Sequence, residues 1–64
     1  MTTEQIKTRA MELVMAHPPV EVGVRTLDDQ LIVGVVSFAG ENKFRLDTPQ
    51  AVMFFEYGEV EAIG

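Results

Sequence analysis

The chain has no cysteine, no tryptophan and a single histidine, His17. Disulfides and thiolate metal sites are therefore excluded, and so is a metal site that needs several histidines. A nucleophile–base pair is also hard to build, because the one serine, Ser37, lies inside an apolar segment. The glycines are isolated, so there is no glycine-rich phosphate loop. We expect a protein without enzyme activity, metal or cofactor.

Basic residues are scarce. The chain has 5 of them against 10 acidic residues, a net charge of −5. This balance argues against broad attraction to nucleic-acid phosphates and to an anionic membrane surface. Local basic patches are limited to two pairs, Lys7 with Arg9 and Lys43 with Arg45, and the fifth basic residue, Arg25, stands alone. A nucleic-acid site would therefore have to be local.

Long apolar stretches are also missing. No segment reaches the length of a transmembrane helix, and Glu4 and Glu12 interrupt the apolar pattern near the N-terminus. We therefore expect no signal peptide and no membrane span. The lack of cysteine fits the reducing cytoplasm.

The 64 residues form one domain, residues 1–64, and 47% of them are hydrophobic. A single core of this size rarely supplies more than about 3–5 kcal/mol of stability. Disulfides and metal sites built from thiolates or several histidines are excluded, so oligomerisation is the remaining way to stabilise the domain, and the apolar content is high enough to build an interface.

Residues 2–16 have the pattern of an amphipathic helix. Thr2 and Gln5 have the spacing of a capping box at the helix start. Pro18 and Pro19 end the helix near His17, because the residue before a proline avoids helical geometry. The apolar stripe consists of Ile6, Ala10, Leu13 and Val14. We expect this stripe to cap one open end of a barrel, with binding of a partner or RNA as the alternative role.

After the prolines the period changes to two, which predicts strands. Residues 26–30 and 47–50 have the composition of turns. Residues 31–38 and 51–55 are apolar on both faces, which is typical of strands buried on both sides. Gly34 suggests a bend or bulge. The fold class is mainly β, with an N-terminal α-helix followed by a five-stranded, strongly bent barrel over residues 20–63, in which the last four strands cover 31–38, 43–46, 51–55 and 59–63.

The strand at 51–55 predicts self-association. A flat hydrophobic edge strand promotes aggregation, whereas pairing it with the last strand of another copy removes the edge. Head-to-tail pairing of this kind can close into a ring, which we expect to hold about five to seven subunits. The expected interface residues are Ala51, Val52, Met53, Phe54, Phe55, Val60, Ala62 and Ile63.

The order of these segments resembles the Sm-like (LSm) family and is most similar to its bacterial Hfq branch. The resemblance covers most of the chain: the helix, the proline break, Val20-x-Val22-x-Val24, residues 31–36, Ser37-Phe38, Leu46-Asp47-Thr48 and the late apolar strand. It implies an SH3-like barrel, rings in which the fourth strand of one subunit pairs with the fifth strand of the next, and binding of single-stranded U- or A-rich RNA.

The loops differ from the usual uridine site of that family. Ala39 and Lys43 stand where an aspartate and an asparagine are usual, and Glu56 stands near the usual basic position. The lysine–histidine pair of Hfq is also missing. The resemblance implies RNA contacts from Phe38, Gly40, Asn42, Lys43, Glu56, Tyr57 and Gly58. The alternative is a ring-shaped protein-interaction scaffold that has lost RNA binding.

Overall fold

A computed structural model describes residues 1–64 of the chain. One helix is followed by five strands that form a single bent antiparallel sheet in the order β4-β3-β2-β1-β5. This architecture confirms the mainly β fold class predicted from the sequence. The elements are α1 (Thr3–Val14), β1 (Glu21–Thr26), β2 (Leu31–Ala39), β3 (Lys43–Asp47), β4 (Val52–Glu56), a 3₁₀ turn (Tyr57–Glu59) and β5 (Val60–Ile63).

The helix begins with the predicted capping box. The Gln5 backbone N–H donates to Thr2 Oγ1 at 3.1 Å, and the Thr2 N–H donates to Gln5 Oε1 at 2.8 Å. These bonds satisfy donors that have no partner within the helix. The helix ends at Val14, slightly earlier than predicted, and Val14 is exposed rather than part of the buried stripe. With 12 residues, α1 is too short to span a membrane.

The core lies between α1 and the inner face of the sheet. Three helical residues are buried, and α1 contacts β2, β5 and the 3₁₀ turn. Along β1, β3 and β4 buried and more exposed side chains alternate, and the buried ones form most of the sheet's side of the core. The core residues are Ile6, Ala10, Leu13, Val22, Val24, Val36, Phe44, Leu46, Phe55, Tyr57, Val60 and Ile63.

The irregularity in β2 lies at a different position from the one predicted. The irregularity in the β2–β3 pairing lies between Val36 and Phe38, whereas Gly34 continues the regular register opposite Val22. Gly34 is required for close packing instead. A Cβ at this position would lie 2.5 Å from the carbonyl oxygen of Asp47.

The outer face of the sheet carries exposed apolar side chains. The sequence predicts that the second and fourth strands are buried on both faces, but in the single chain this prediction is wrong. The residues Leu31 and Val33 on β2 and Val52 and Phe54 on β4 are exposed, because α1 covers only the inner face. The second apolar face of both strands is therefore available for contacts with other molecules.

Candidate nucleic-acid interface

Two hydrogen bonds hold the β2–β3 loop against the segment after β4. The Tyr57 backbone N–H donates to the Asn42 carbonyl oxygen at 3.2 Å, and the Tyr57 hydroxyl donates to the Gly40 carbonyl oxygen at 2.8 Å. Residues 40–43 and 56–58, far apart in sequence, therefore lie side by side. These are the two loops that the sequence resemblance implicates in RNA contacts.

Together with the first turns of α1, these loops line a depression of about 620 Å³. Five of the predicted RNA-contact residues lie in its wall: Asn42, Lys43, Glu56, Tyr57 and Gly58. The sequence prediction did not include the helical contribution from Thr3, Glu4 and Lys7, nor Glu41 in the loop. The sequence offers RNA contact by the helix only as an alternative role and does not single out Thr3 or Glu4, because only the tertiary packing brings the helix N-terminus beside the loops.

Tyr57 does not present its ring to this depression. The residue is only 3% exposed, and its ring stacks on Phe44 with centroids 5.7 Å apart. Burial raises the pKa of the phenol above its usual value, and the charge of Glu41 adds to this effect. The Tyr57 ring is therefore not available to stack on an RNA base in this conformation, and its role is to hold the loops together.

The depression carries more negative than positive charge. Three carboxylates, from Glu4, Glu41 and Glu56, face two ammonium groups, from Lys7 and Lys43. Lys7 Nζ lies 3.7 Å from a carboxylate oxygen of Glu41. A phosphate entering the depression would meet repulsion from the carboxylates, so Lys43 and the neutral amide of Asn42 are the groups best suited to contact RNA there.

Phe38 lies outside the depression, on the outer face of β2. Its side chain points away from the core although that of Val36, two residues earlier, is buried. The bulge between the two residues reverses the alternation at this point. Gly40, the remaining predicted contact residue, lies under the Phe38 ring, since an added Cβ would be 3.0 Å from it. Neither residue lines the depression.

The predicted interface residues divide into three groups by burial. Ala51, Val52 and Phe54 are exposed, whereas Met53 and Ala62 are half-buried. The side chains of three others, Phe55, Val60 and Ile63, belong to the core of the chain itself. These three residues could therefore contribute only backbone atoms to an interface, because their side chains already pack against α1 and β3.

No family model, curated protein or solved structure matches this chain.

Proposed function

We propose that this chain is a subunit of a closed homo-oligomeric ring of the Sm-like type, which binds single-stranded RNA. The observation that supports the ring is the strand order β4-β3-β2-β1-β5, which leaves β4 and β5 as two unpaired edges. An edge that offers free backbone groups recruits another strand. Pairing β4 of one copy with β5 of the next uses both edges, and closure of the ring leaves none exposed.

The hydrogen bonding at the ends of β4 indicates which groups are available. The Thr48 N–H donates to the Ala51 carbonyl oxygen, and the Tyr57 N–H donates to the Asn42 carbonyl oxygen. Thr48–Ala51 and Asn42–Tyr57 are therefore hydrogen-bonded pairs of the ladder. Bonded and non-bonded pairs alternate along an antiparallel ladder. The pairs that involve Val52, Phe54 and Glu56 are therefore non-bonded ones. The N–H and C=O groups of these three residues point away from β3, toward the open edge.

One of these edge groups already has a partner. The Glu56 N–H donates to Glu59 Oε1 at 2.9 Å, which blocks strand pairing at the end of β4. Only Val52 and Phe54 offer free backbone donors and acceptors. Val52 also has an exposed apolar side chain that a neighbouring subunit could partly cover, and this burial would add to the backbone hydrogen bonds.

RNA binding is supported by the convergence of two loops and by the resemblance to Sm-like proteins. A ring would repeat the depression in each subunit, so that weak contacts from Asn42 and Lys43 would add up through avidity. We further propose a cytoplasmic location, where such a ring would act as an RNA chaperone or in RNA processing. The resemblance is an analogy at the level of fold, and function must be established at the site.

A second function, a ring-shaped protein-interaction scaffold, is favoured by one specific observation. The carboxylates of Glu4, Glu41 and Glu56 outnumber the ammonium groups in the depression. Several copies of such a depression around one axis would repel phosphate and attract a basic peptide segment instead. The two functions share the ring and differ in the charge of the ligand.

The test has two stages. Native mass spectrometry and sedimentation first determine whether the chain forms a closed oligomer of about five to seven copies. Labelled oligoU and oligoA are then titrated at low salt into the wild type, Glu56→Lys and Glu56→Gln. If RNA enters the depression, affinity rises from wild type to Gln to Lys, and the salt dependence is steepest for Lys.

A stable monomer at micromolar concentration would contradict the ring. A ring that binds neither oligonucleotide, even with Glu56→Lys, would contradict RNA binding. Binding of a lysine-rich peptide to such a ring, weakened by Glu56→Gln, would then support the scaffold function.

A further inference from the structure

Three residues form a row across the outer face of the sheet. In the antiparallel register Phe38 on β2 lies opposite Arg45 on β3, and Arg45 lies opposite Phe54 on β4. Directly opposed residues point to the same face of a sheet. The neighbours of Arg45 in β3, Phe44 and Leu46, are fully buried, so the row faces outward.

Both aromatic rings of the row are accessible. Phe38 is 51% exposed and Phe54 is 56% exposed. Neighbouring strands are about 4.8 Å apart, so the two Phe residues stand roughly 10 Å apart with Arg45 between them. Gly40 leaves room beside the strand for the Phe38 ring, because a Cβ at Gly40 would come within 3.0 Å of it.

Two cations accompany the rings. Lys43 Nζ lies 5.5 Å from the centre of the Phe54 ring, within the range of a cation–π contact. The other four basic residues of the chain each form an ion pair with a carboxylate, so Lys43 is the one cation without such a partner.

Arg45 keeps a free hydrogen-bond donor although it forms an ion pair with Asp47. Its Nε donates to Asp47 Oδ1 at 2.8 Å, and its Nη2 donates to Oδ2 at 3.4 Å. This two-point contact fixes the plane of the guanidinium and leaves Nη1 unengaged. The hydrogen bond from Arg45 also lowers the pKa of Asp47 below its ordinary value.

We propose that Phe38, Lys43, Arg45 and Phe54 form an outer-face platform for single-stranded RNA. Two bases stack on the Phe38 and Phe54 rings, and the phosphates contact Lys43 and the free Nη1 of Arg45. Flat apolar rings alternating with cations match the alternation of bases and phosphates in a single strand. An acidic peptide would complement the cations but would leave the exposed ring faces unstacked.

The platform is continuous with the loop depression. Lys43 lies in the wall of the depression and also over the Phe54 ring. A strand of RNA leaving the depression would therefore pass Lys43 and reach the outer face. The inference rests on the proposed function for its choice of ligand, and it adds a binding surface on the outer face, where only Glu56, opposite Lys43, is shared with the carboxylates of the depression.

Single tryptophans provide a direct test, because the chain contains none. Phe38→Trp and Phe54→Trp place a fluorescent ring on the platform, and Leu27→Trp places one at an exposed position in the β1–β2 turn. Titration with oligoU at low salt should quench the first two variants in a saturable manner, since a stacked base quenches indole fluorescence. The Leu27→Trp control should not change.

Affinity measurements give a second, independent readout. Phe38→Ala should weaken oligoU binding about tenfold, which corresponds to loss of one stacking contact. Gly40→Ala should also weaken it by displacing the Phe38 ring. Lys43→Ala should weaken binding and reduce the salt dependence by about one phosphate contact. Leu27→Ala is the matched control, and circular dichroism confirms that each variant is folded.

The possible results distinguish failure of the platform from failure of the proposed function. Normal oligoU affinity with unchanged fluorescence of both platform tryptophans would overturn the platform and leave binding at the depression intact. Quenching that is insensitive to Glu4→Lys, a substitution in the α1 wall of the depression, would support the platform and contradict an RNA path through the depression. Tighter binding of an acidic aromatic peptide than of oligoU at the same tryptophans would overturn RNA as the ligand. Absence of all oligoU binding would overturn both.

Discussion

The hydroxyl of Tyr57 donates a 2.8 Å hydrogen bond to the carbonyl oxygen of Gly40, a residue 17 positions earlier in the chain. The same tyrosine stacks on Phe44 inside the core. One side chain therefore fixes the position of the β2–β3 loop relative to the segment after β4. The shape of the depression depends on this contact, because Glu41, Asn42 and Lys43 follow Gly40 directly.

Tyr57→Phe should remove this hydrogen bond without removing the ring. The expected cost is about 1 kcal/mol in the free energy of unfolding at neutral pH. Urea unfolding followed by circular dichroism measures this change. An unchanged free energy of unfolding would show that the Tyr57–Gly40 bond contributes nothing to stability.

The same variant should alter the alkaline stability. Burial raises the pKa of Tyr57 in the folded chain, so the folded state holds the phenol proton more tightly than the unfolded state. This contribution is fully present below the unfolded pKa, about 10, and is lost as the pH rises through the folded pKa. The stability difference between wild type and Tyr57→Phe should therefore shrink above about pH 10, because only the wild type carries this titrating group.

Gly34→Ala tests the close approach of two strands. The added Cβ would lie 2.5 Å from the Asp47 carbonyl oxygen, a backbone atom that cannot move without disturbing the β2–β3 ladder. We expect a loss of about 1–3 kcal/mol in unfolding free energy, as for overpacked cores. Gly58→Ala is the matched control, because a Cβ there meets no atom within 4 Å. Equal stability of the two variants would contradict this packing argument.

The helix prediction concerns Leu13, which is buried in the core, and Met15, which is exposed just beyond α1. Leu13→Ala should lower the free energy of unfolding by about 2–5 kcal/mol. Met15→Ala should change it little, and Lys7→Ala should change neither stability nor RNA affinity if the helix only covers the core. A loss of RNA affinity from Lys7→Ala with unchanged melting would assign the helix a direct part in binding.

Local sequence signals predicted the helix and the alternating strands well. Thr2 and Gln5 form the capping box that their spacing predicts, and the buried Ile6, Ala10 and Leu13 follow the helical period. The inner residues of β1 and β3 follow the strand period in the same way. These features depend on neighbours within a few residues, and for that reason the sequence alone was sufficient.

The site was harder to predict because it depends on irregular and long-range structure. Strict alternation from the buried Val36 would place Phe38 in the core, and only the bulge turns it outward. Tyr57 follows a strand and lies in a segment whose composition is typical of an exposed turn. It is nevertheless buried through contacts with Gly40 and Phe44. No pattern of neighbouring residues encodes either outcome.

The proposed ring depends on the backbone of β4, and Val52 permits a test that leaves the fold unchanged. The ladder alternation directs its N–H away from β3, so this group makes no hydrogen bond within the sheet. Proline is tolerated in edge strands at positions whose N–H faces outward. Val52→Pro therefore removes one of the two free edge donors of β4, whereas Val52→Thr retains the donor and the β-branched shape.

Val52→Pro should convert the ring to smaller species at micromolar concentration while the far-ultraviolet circular dichroism spectrum stays that of a folded chain. Val52→Thr should remain assembled. Sedimentation velocity of both variants beside the wild type measures this difference, since an interface built on strand pairing must lose a hydrogen bond that proline cannot supply. If Val52→Pro assembles as the wild type does, β4 is not the interacting edge. If it unfolds, the N–H of Val52 serves the monomer fold, and the assignment of this group to the open edge is wrong.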